Sequence, residues 1–87
     1  MNEETLLTFP CEFPIKIMGR RDEAFEIEVI RIVRKHVPDL SESAVSRRAS
    51  EKGNYLAITV TVIASSKEQL DKIYQELNAH EAVLMTL

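Results

Sequence analysis

Residues 55–64 read YLAITVTVIA and contain the clearest strand pattern in the chain. Positions 56, 58, 60 and 62 carry leucine, isoleucine or valine, whereas positions 55, 57, 59 and 61 carry tyrosine, alanine and threonine. Because successive side chains of a strand point to opposite faces of the sheet, this run predicts a strand with one core-facing side and one mixed side. The sheet that contains it is therefore expected to be covered on one face.

The residues just before this strand form a turn signal. Gly53 can adopt positive φ without a Cβ clash, and Asn54 tolerates a similar conformation. The segment upstream, residues 44–49, alternates weakly and contains several polar side chains, which is typical of an edge strand. The sequence therefore predicts a hairpin that joins a polar edge strand to the strand at 55–64.

Two segments have the helical period instead. In residues 22–36 the apolar side chains recur at helical spacing, Asp22 is suited to the N-cap, and Pro38 ends the helix. In residues 65–80 a second amphipathic pattern follows a serine, and Ser65 with Glu68 fits a capping box. Both segments are predicted to be helices with one face on the core.

The two ends of the chain supply the remaining strands. Residues 13–19, FPIKIMG, alternate with period two, and Gly19 is expected to end that strand and permit a turn. Residues 82–87, AVLMTL, predict a short last strand with Val83, Met85 and Leu87 on one face.

The order β-α-β-β-α-β, with right-handed crossovers, predicts the α+β ferredoxin-like sandwich. In this fold a four-stranded antiparallel sheet has two helices on one face and leaves the other face open. We expect residues 1–12 to form an N-terminal arm and residues 13–87 to form a single domain.

Composition excludes several classes of protein. The chain has 87 residues, 45% hydrophobic and 29% charged, and a formal charge of −3, which is typical of one globular domain and disfavours a nucleic-acid binder. Cys11 is the only cysteine, so an intrachain disulfide is impossible. We expect its thiol to be an unreactive, half-buried or solvent-edge group. Neither a signal-peptide pattern nor a membrane-length apolar run is present, so we expect a cytoplasmic protein without membrane contact.

The chemistries common in this fold need residues that are missing here. The predicted loop MGRRDE has no cysteine pair for a soft metal, and the central strands lack the aromatic side chains that stack on RNA bases. Gly19, Arg20 and Arg21 only loosely resemble an acylphosphatase phosphate loop. His36 and His80 have no second ligand at a diagnostic spacing. The sequence therefore predicts no catalytic group, no metal and no cofactor.

Basic side chains are the remaining candidates for function. Arg47, Arg48 and Lys52 fall within six residues of a chain that is acidic on balance. Arg47 and Arg48 should point to opposite faces of the edge strand. They either protect that edge from aggregation or bind an anionic ligand or an acidic partner.

Three motifs resemble the YbeD-like family of small bacterial proteins. They are FPCEFPIKIMG at 9–19, SEKGNYLAITVTVIA at 50–64 and LDKIYQELNAHEAVLMTL at 70–87. The resemblance implies a ferredoxin-like fold similar to ACT-type regulatory domains, which bind small molecules at interfaces between paired domains. The family brings no established activity.

Two hypotheses follow. The first is a non-catalytic regulatory or interaction module that binds a protein partner, a small-molecule ligand or a second copy of the chain. The second is a small anion-binding enzyme that uses Arg20 with Lys52, Asn54 and Tyr55. We expect the loop after the first strand and the turn between the second and third strands to lie at opposite ends of the sheet. Arg20 and Lys52 would then not share one pocket, which disfavours the enzyme hypothesis. The candidate binding residues are Gly19, Arg20, Arg47, Arg48, Lys52, Gly53, Asn54 and Tyr55.

Overall fold

A computed structural model describes residues 8–87 and contains one four-stranded antiparallel sheet with two helices. The elements in chain order are β1 (Cys11–Arg20), α1 (Glu23–His36), β2 (Val45–Ala49), β3 (Tyr55–Ala64), α2 (Lys67–Ala79) and β4 (Val83–Thr86). The strands lie in the order β2-β3-β1-β4, and every neighbouring pair is antiparallel. The predicted βαββαβ fold is confirmed.

The N-terminal part of the chain differs from the expected boundary. β1 begins at Cys11, two residues before the predicted start, because Cys11 and Glu12 pair with Ala64 and Ile63 at the end of β3. Most of the predicted arm, residues 1–7, lies outside the described residues.

The hydrophobic core lies between the two helices and one face of the sheet. α1 contributes Phe25, Val29, Ile32 and Val33, all at most 2% exposed. α2 contributes a similar stripe, and the sheet contributes alternate residues of β1 and β3. The core-facing residues of the sheet and α2 are Ile15, Ile17, Ile58, Val60, Val62, Ala64, Leu70, Ile73 and Leu77. Alternation therefore leaves the other set of strand residues on a face without helices.

The cap of α1 is as predicted, whereas that of α2 is shifted by one residue. Asp22 accepts a hydrogen bond from the Ala24 amide at 2.9 Å and begins α1. Ser66, not Ser65, begins α2, because its hydroxyl accepts the Gln69 amide at 3.1 Å. The Gln69 side chain accepts the Ser65 amide at 2.8 Å, so Gln69 has the role that the sequence suggested for Glu68.

β4 contains an irregularity that corrects the predicted face of this strand. The register with β1 shifts between Met18 and Gly19, so that Met85 is opposite Met18 and Val83 is opposite Gly19. A bulge of this kind reverses the alternation of side chains. Val83 packs against the core, whereas Met85 lies on the open face with Met18. The prediction that Val83, Met85 and Leu87 share one face is therefore wrong.

Gly19 lies within β1 and does not end it. A Cβ atom at this position would lie 2.7 Å from the carbonyl oxygen of Ala82 and would overlap the ring of Phe25. Close packing between β1, α1 and the segment before β4 therefore requires a glycine here.

Candidate functional site

The β1–α1 loop and the β2–β3 turn lie at the same end of the sheet. Arg20, the last residue of β1, is directly opposite Tyr55, the first residue of β3. The Arg21 amide donates to the Asn54 carbonyl oxygen at 3.1 Å. The expectation that these two loops occupy opposite ends is wrong, because β1 and β3 are antiparallel neighbours and the end of one meets the start of the other.

Three of the candidate side chains share the open face at this end. Arg20 and Tyr55 both belong to the strand positions that face away from the helices. Arg48 is opposite Ala57, two residues from Tyr55, and so lies on the same face as its diagonal neighbour. Side chains at such diagonal positions are roughly 5–8 Å apart at Cβ, within reach of an arginine and an aromatic ring. Tyr55 is 46% exposed, and its strand lies between the strands that carry Arg20 and Arg48.

The turn brings two further cations to this end. Gly53 has φ of 75°, which confirms the predicted positive value, and a Cβ built on it would lie 3.1 Å from Nη1 of Arg21. Lys52 precedes Gly53 in the exposed turn. The turn is held by hydrogen bonds from the Gly53 amide to Ser50 O and from the Ser50 amide to Tyr55 O, both at 2.9 Å. We call Arg20, Arg21, Arg48, Lys52 and Tyr55 the basic rim.

The cations of the basic rim have no side-chain partner among residues 8–87. Within residues 8–87, no carboxylate or carbonyl oxygen accepts a side-chain hydrogen bond from Arg20, Arg21, Arg48 or Lys52. Like charges on neighbouring side chains repel one another, and a bound anion would remove that repulsion.

Several cations on the helix side of the molecule differ from those of the basic rim because they form ion pairs. Glu76 of α2 contacts Lys35 at 2.9 Å and His36 at 2.6 Å, and these hydrogen bonds, that of Lys35 first, lower the pKa of Glu76. Arg31 is 2.8 Å from Glu28, and its hydrogen bond lowers the pKa of that carboxyl group. These pairs neutralise charge, so the helix side does not resemble the basic rim.

Two of the predicted site residues lie elsewhere. Arg47 is on the helix side of β2 and forms an ion pair with Glu26 of α1. Gly19 is buried under Phe25. Arg47 and Gly19 therefore have structural roles, and the structure brings together only Arg20, Arg48, Lys52, Gly53, Asn54 and Tyr55. Arg21, which follows Arg20 in the loop before α1, joins them through its contact with the turn.

The rest of the open face is mixed in character. Lys16 lies opposite Thr59, and Met18 lies opposite both Ala57 and Met85. No aromatic side chain of residues 8–87 other than Tyr55 is paired on the β1–β3 rows from Lys16 to Arg20, as expected from the sequence. The rim therefore borders a thioether and methyl surface without a platform for several stacked bases.

The two histidines link helices and segments to one another. His36 contacts Glu76, and Nδ1 of His80 accepts the Ala82 amide at 3.1 Å.

Across the described part of the chain, no group of three or more histidine, cysteine, aspartate or glutamate side chains could hold a metal ion. No helix among residues 8–87 has both the length and the apolar character to span a membrane.

Comparison with known proteins identifies the family. The family model described as "Protein of unknown function (DUF493)" matches residues 4–87, and the chain belongs to this family. It is 44% identical over 87 residues to the UPF0250 protein NE1487 of Nitrosomonas europaea, with both chains fully covered. It is 47% identical over 85 residues to a UPF0250 protein of Chromobacterium violaceum, which covers 98% of this chain and 96% of that one. The YbeD-like resemblance is confirmed.

Two solved structures share the fold. The solution structure of protein HP0495 from H. pylori superposes with a TM-score of 0.74 at 13% identity, covering 93% of this chain and 85% of that one. The ACT domain from GTP pyrophosphokinase of Chlorobium tepidum gives a TM-score of 0.66 at 13% identity, covering 87% and 84%. The chain therefore has an ACT-like, ferredoxin-like fold.

Proposed function

We propose that this protein is a non-catalytic regulatory or interaction module that recognises an anionic group, on a small molecule or an acidic partner, at the basic rim. One observation carries the proposal: four cations without side-chain partners in the described part of the chain lie at the same end of the sheet as an exposed tyrosine. The ACT-like fold supports a regulatory role.

The chemistry of the rim suits recognition of carboxylate or phosphate oxygens. Guanidinium groups bind such oxygens through two parallel hydrogen bonds, and Lys52 adds a mobile point charge. The ring of Tyr55 can pack against an apolar or planar part of the same ligand. None of the five rim side chains is a carboxylate or an imidazole, so the rim offers binding groups and no evident general base.

A second candidate function is the small anion-binding enzyme that uses Arg20 with Lys52, Asn54 and Tyr55. The meeting of Arg21 with Asn54 at one end of the sheet favours it, because all four residues now border one surface. Turnover of a phosphoester or anhydride that is lost in the Lys52→Ala protein would establish this alternative.

The first test is a thermal-shift titration with inorganic phosphate, carboxylates, nucleotides and acidic peptides. A ligand at about 100 times its dissociation constant stabilises the folded state by roughly 2.7 kcal/mol. In a domain of this size each kcal/mol raises Tm by about 4–8 °C, so the expected shift exceeds 10 °C.

Matched variants locate the binding site. Arg20→Ala and Arg48→Ala should each remove the shift, whereas Lys72→Ala, which deletes one exposed cation of α2, should leave it unchanged. Equal loss in all three proteins would mean only nonspecific charge attraction, and no shift with any of the probes would remove the proposal.

We also propose a cytoplasmic location. The single cysteine of the sequence, Cys11, is a free and half-buried thiol. A fold of this size without disulfides is typical of a reducing compartment.

A further inference from the structure

The exposed face of α1 carries a stripe that is complementary to itself. Glu23, Ile27, Ile30 and Arg34 follow one another at spacings of four, three and four residues, so they lie along one line of the helix. The buried residues of α1 lie on the opposite side of the helix. The stripe therefore points away from the sheet, with an acid at one end, a base at the other and two isoleucines between them.

The apolar centre of this stripe is partly exposed in the monomer. Ile27 is 63% exposed, the highest value of any large hydrophobic side chain in α1. Ile30 is half-buried and packs against the edge of the core, and a shallow groove beside it is lined by Ile27, Arg31 and Arg34. An exposed isoleucine beside such a groove is a feature of association surfaces, although a single one is common on any protein.

The ends of the stripe carry charge that is free to act between molecules. Within residues 8–87 no side chain pairs with the Glu23 carboxylate. Arg34 makes one hydrogen bond, from Nη2 to Leu40 O at 3.3 Å, which leaves most of its five donors unused. By contrast, Glu26, Arg31 and Lys35 on the flanks are already in ion pairs.

The order of these residues matches a two-fold axis. Glu23 precedes the midpoint between Ile27 and Ile30 by as many residues as Arg34 follows it. When two copies of α1 pack antiparallel about that midpoint, Ile27 of each copy meets Ile30 of the other. Glu23 then meets Arg34 at both ends, roughly 16 Å apart along the helix. A two-fold interface requires this kind of self-complementary surface.

We infer that the protein forms a homodimer in which the α1 stripes of two copies pack antiparallel. This inference does not rest on the proposed function, since Arg20, Arg48 and Tyr55 of the basic rim lie on the face of the sheet away from the helices. One helix pair buries less than the ~1,200 Å² of a stable interface, so the dimer is weak and dissociates on dilution.

Sedimentation equilibrium from micromolar to millimolar protein tests the inference. The natural chain should show a reversible monomer–dimer equilibrium. Ile27→Asp should raise its dissociation constant by about tenfold or more, because it places a charge at the centre of the contact. Ile63→Asp is the matched control, since Ile63 is 55% exposed but lies on the open face. Its dimer should be unchanged.

A charge exchange makes the test specific. Glu23→Arg and Arg34→Glu should each weaken the dimer, and the double variant should restore it, because the exchanged stripe is again self-complementary. The double variant should also have the lowest Tm, since it opposes the dipole at both ends of α1. Recovery of the dimer therefore cannot come from greater stability.

Three results would overturn the inference. They are a natural chain that remains monomeric at millimolar concentration, a dimer disrupted by Ile63→Asp and not by Ile27→Asp, and a double variant as weak as either single one. The second result would place the interface on the open face instead.

Discussion

Replacement of Gly19 by alanine should be the most damaging single-methyl addition to the sheet. The new Cβ would lie 2.7 Å from the Ala82 carbonyl oxygen and inside the contact radius of the Phe25 ring. The ring is only 1% exposed and is packed in the hydrophobic core, and the carbonyl belongs to backbone next to β4. Both obstacles are rigid, so the cost should reach the upper end of the range for overpacking, about 3 kcal/mol.

The matched control is the same replacement at Gly53. That position has positive φ but only one atom near the new Cβ, Nη1 of Arg21 at 3.1 Å, at the end of a flexible side chain. The expected cost is the left-handed backbone term alone, about 1–2 kcal/mol. Urea unfolding followed by circular dichroism gives both free energies of unfolding, provided that the two transitions are two-state.

The reasoning also makes a prediction about coupling. Phe25→Leu removes the ring, so it should reduce the cost of Gly19→Ala by at least about 0.5 kcal/mol in a double-mutant cycle. A loss below about 1 kcal/mol in Gly19→Ala, or additivity with Phe25→Leu, would show that the packing around Gly19 is not tight.

Two further predictions concern charge. Variants of the two neighbouring arginines of β2 should separate effects on stability from effects on binding. Arg47→Ala breaks the pair with Glu26 and should lower the free energy of unfolding by less than about 1 kcal/mol without affecting anion binding. Arg48→Ala should abolish anion binding and leave the urea midpoint nearly unchanged. Equal effects of both variants in either assay would contradict the assigned faces. The lowered pKa of Glu76 means that its stabilising effect is present above the ordinary pKa of 4.5 and is lost as pH falls through the lower pKa of the folded state. Glu76→Gln should therefore flatten the acid side of a curve of Tm against pH. An unchanged slope would refute the role of its pairs with Lys35 and His36.

Strong local patterns predicted the elements well. The alternation in residues 55–64 defines β3 residue for residue, and Asp22 begins α1 as expected. In both cases local propensity and tertiary packing favour the same structure. At α2 two adjacent serines are each followed three residues later by a side chain that can complete a capping box, so the sequence alone does not distinguish Ser65 from Ser66.

Features that depend on packing between distant segments were less predictable. The register shift between β1 and β4 occurs beside Gly19, where Phe25 and Ala82 approach closely, and no local pattern marks it. The position of the basic rim, in contrast, could have been deduced. Once β1 and β3 are recognised as antiparallel neighbours, Arg20 must lie beside Tyr55. The error was in the topology of the loops and not in the choice of residues.

The distribution of charge implies that the two proposed surfaces act independently. Arg31, Lys35 and Arg47 on the helix side form ion pairs with glutamates, whereas the cations of the basic rim have no such partners among residues 8–87. A dimer through α1 leaves both open faces, with Arg20, Arg48 and Tyr55, directed outward. Separate surfaces predict that anion binding and dimerisation do not alter each other, and by reciprocal linkage a test in one direction also tests the other. Phosphate or another anion that binds the rim should therefore leave the dimer dissociation constant unchanged. A change in that constant that persists in the Arg48→Ala protein would instead place the anion at the Glu23–Arg34 contacts.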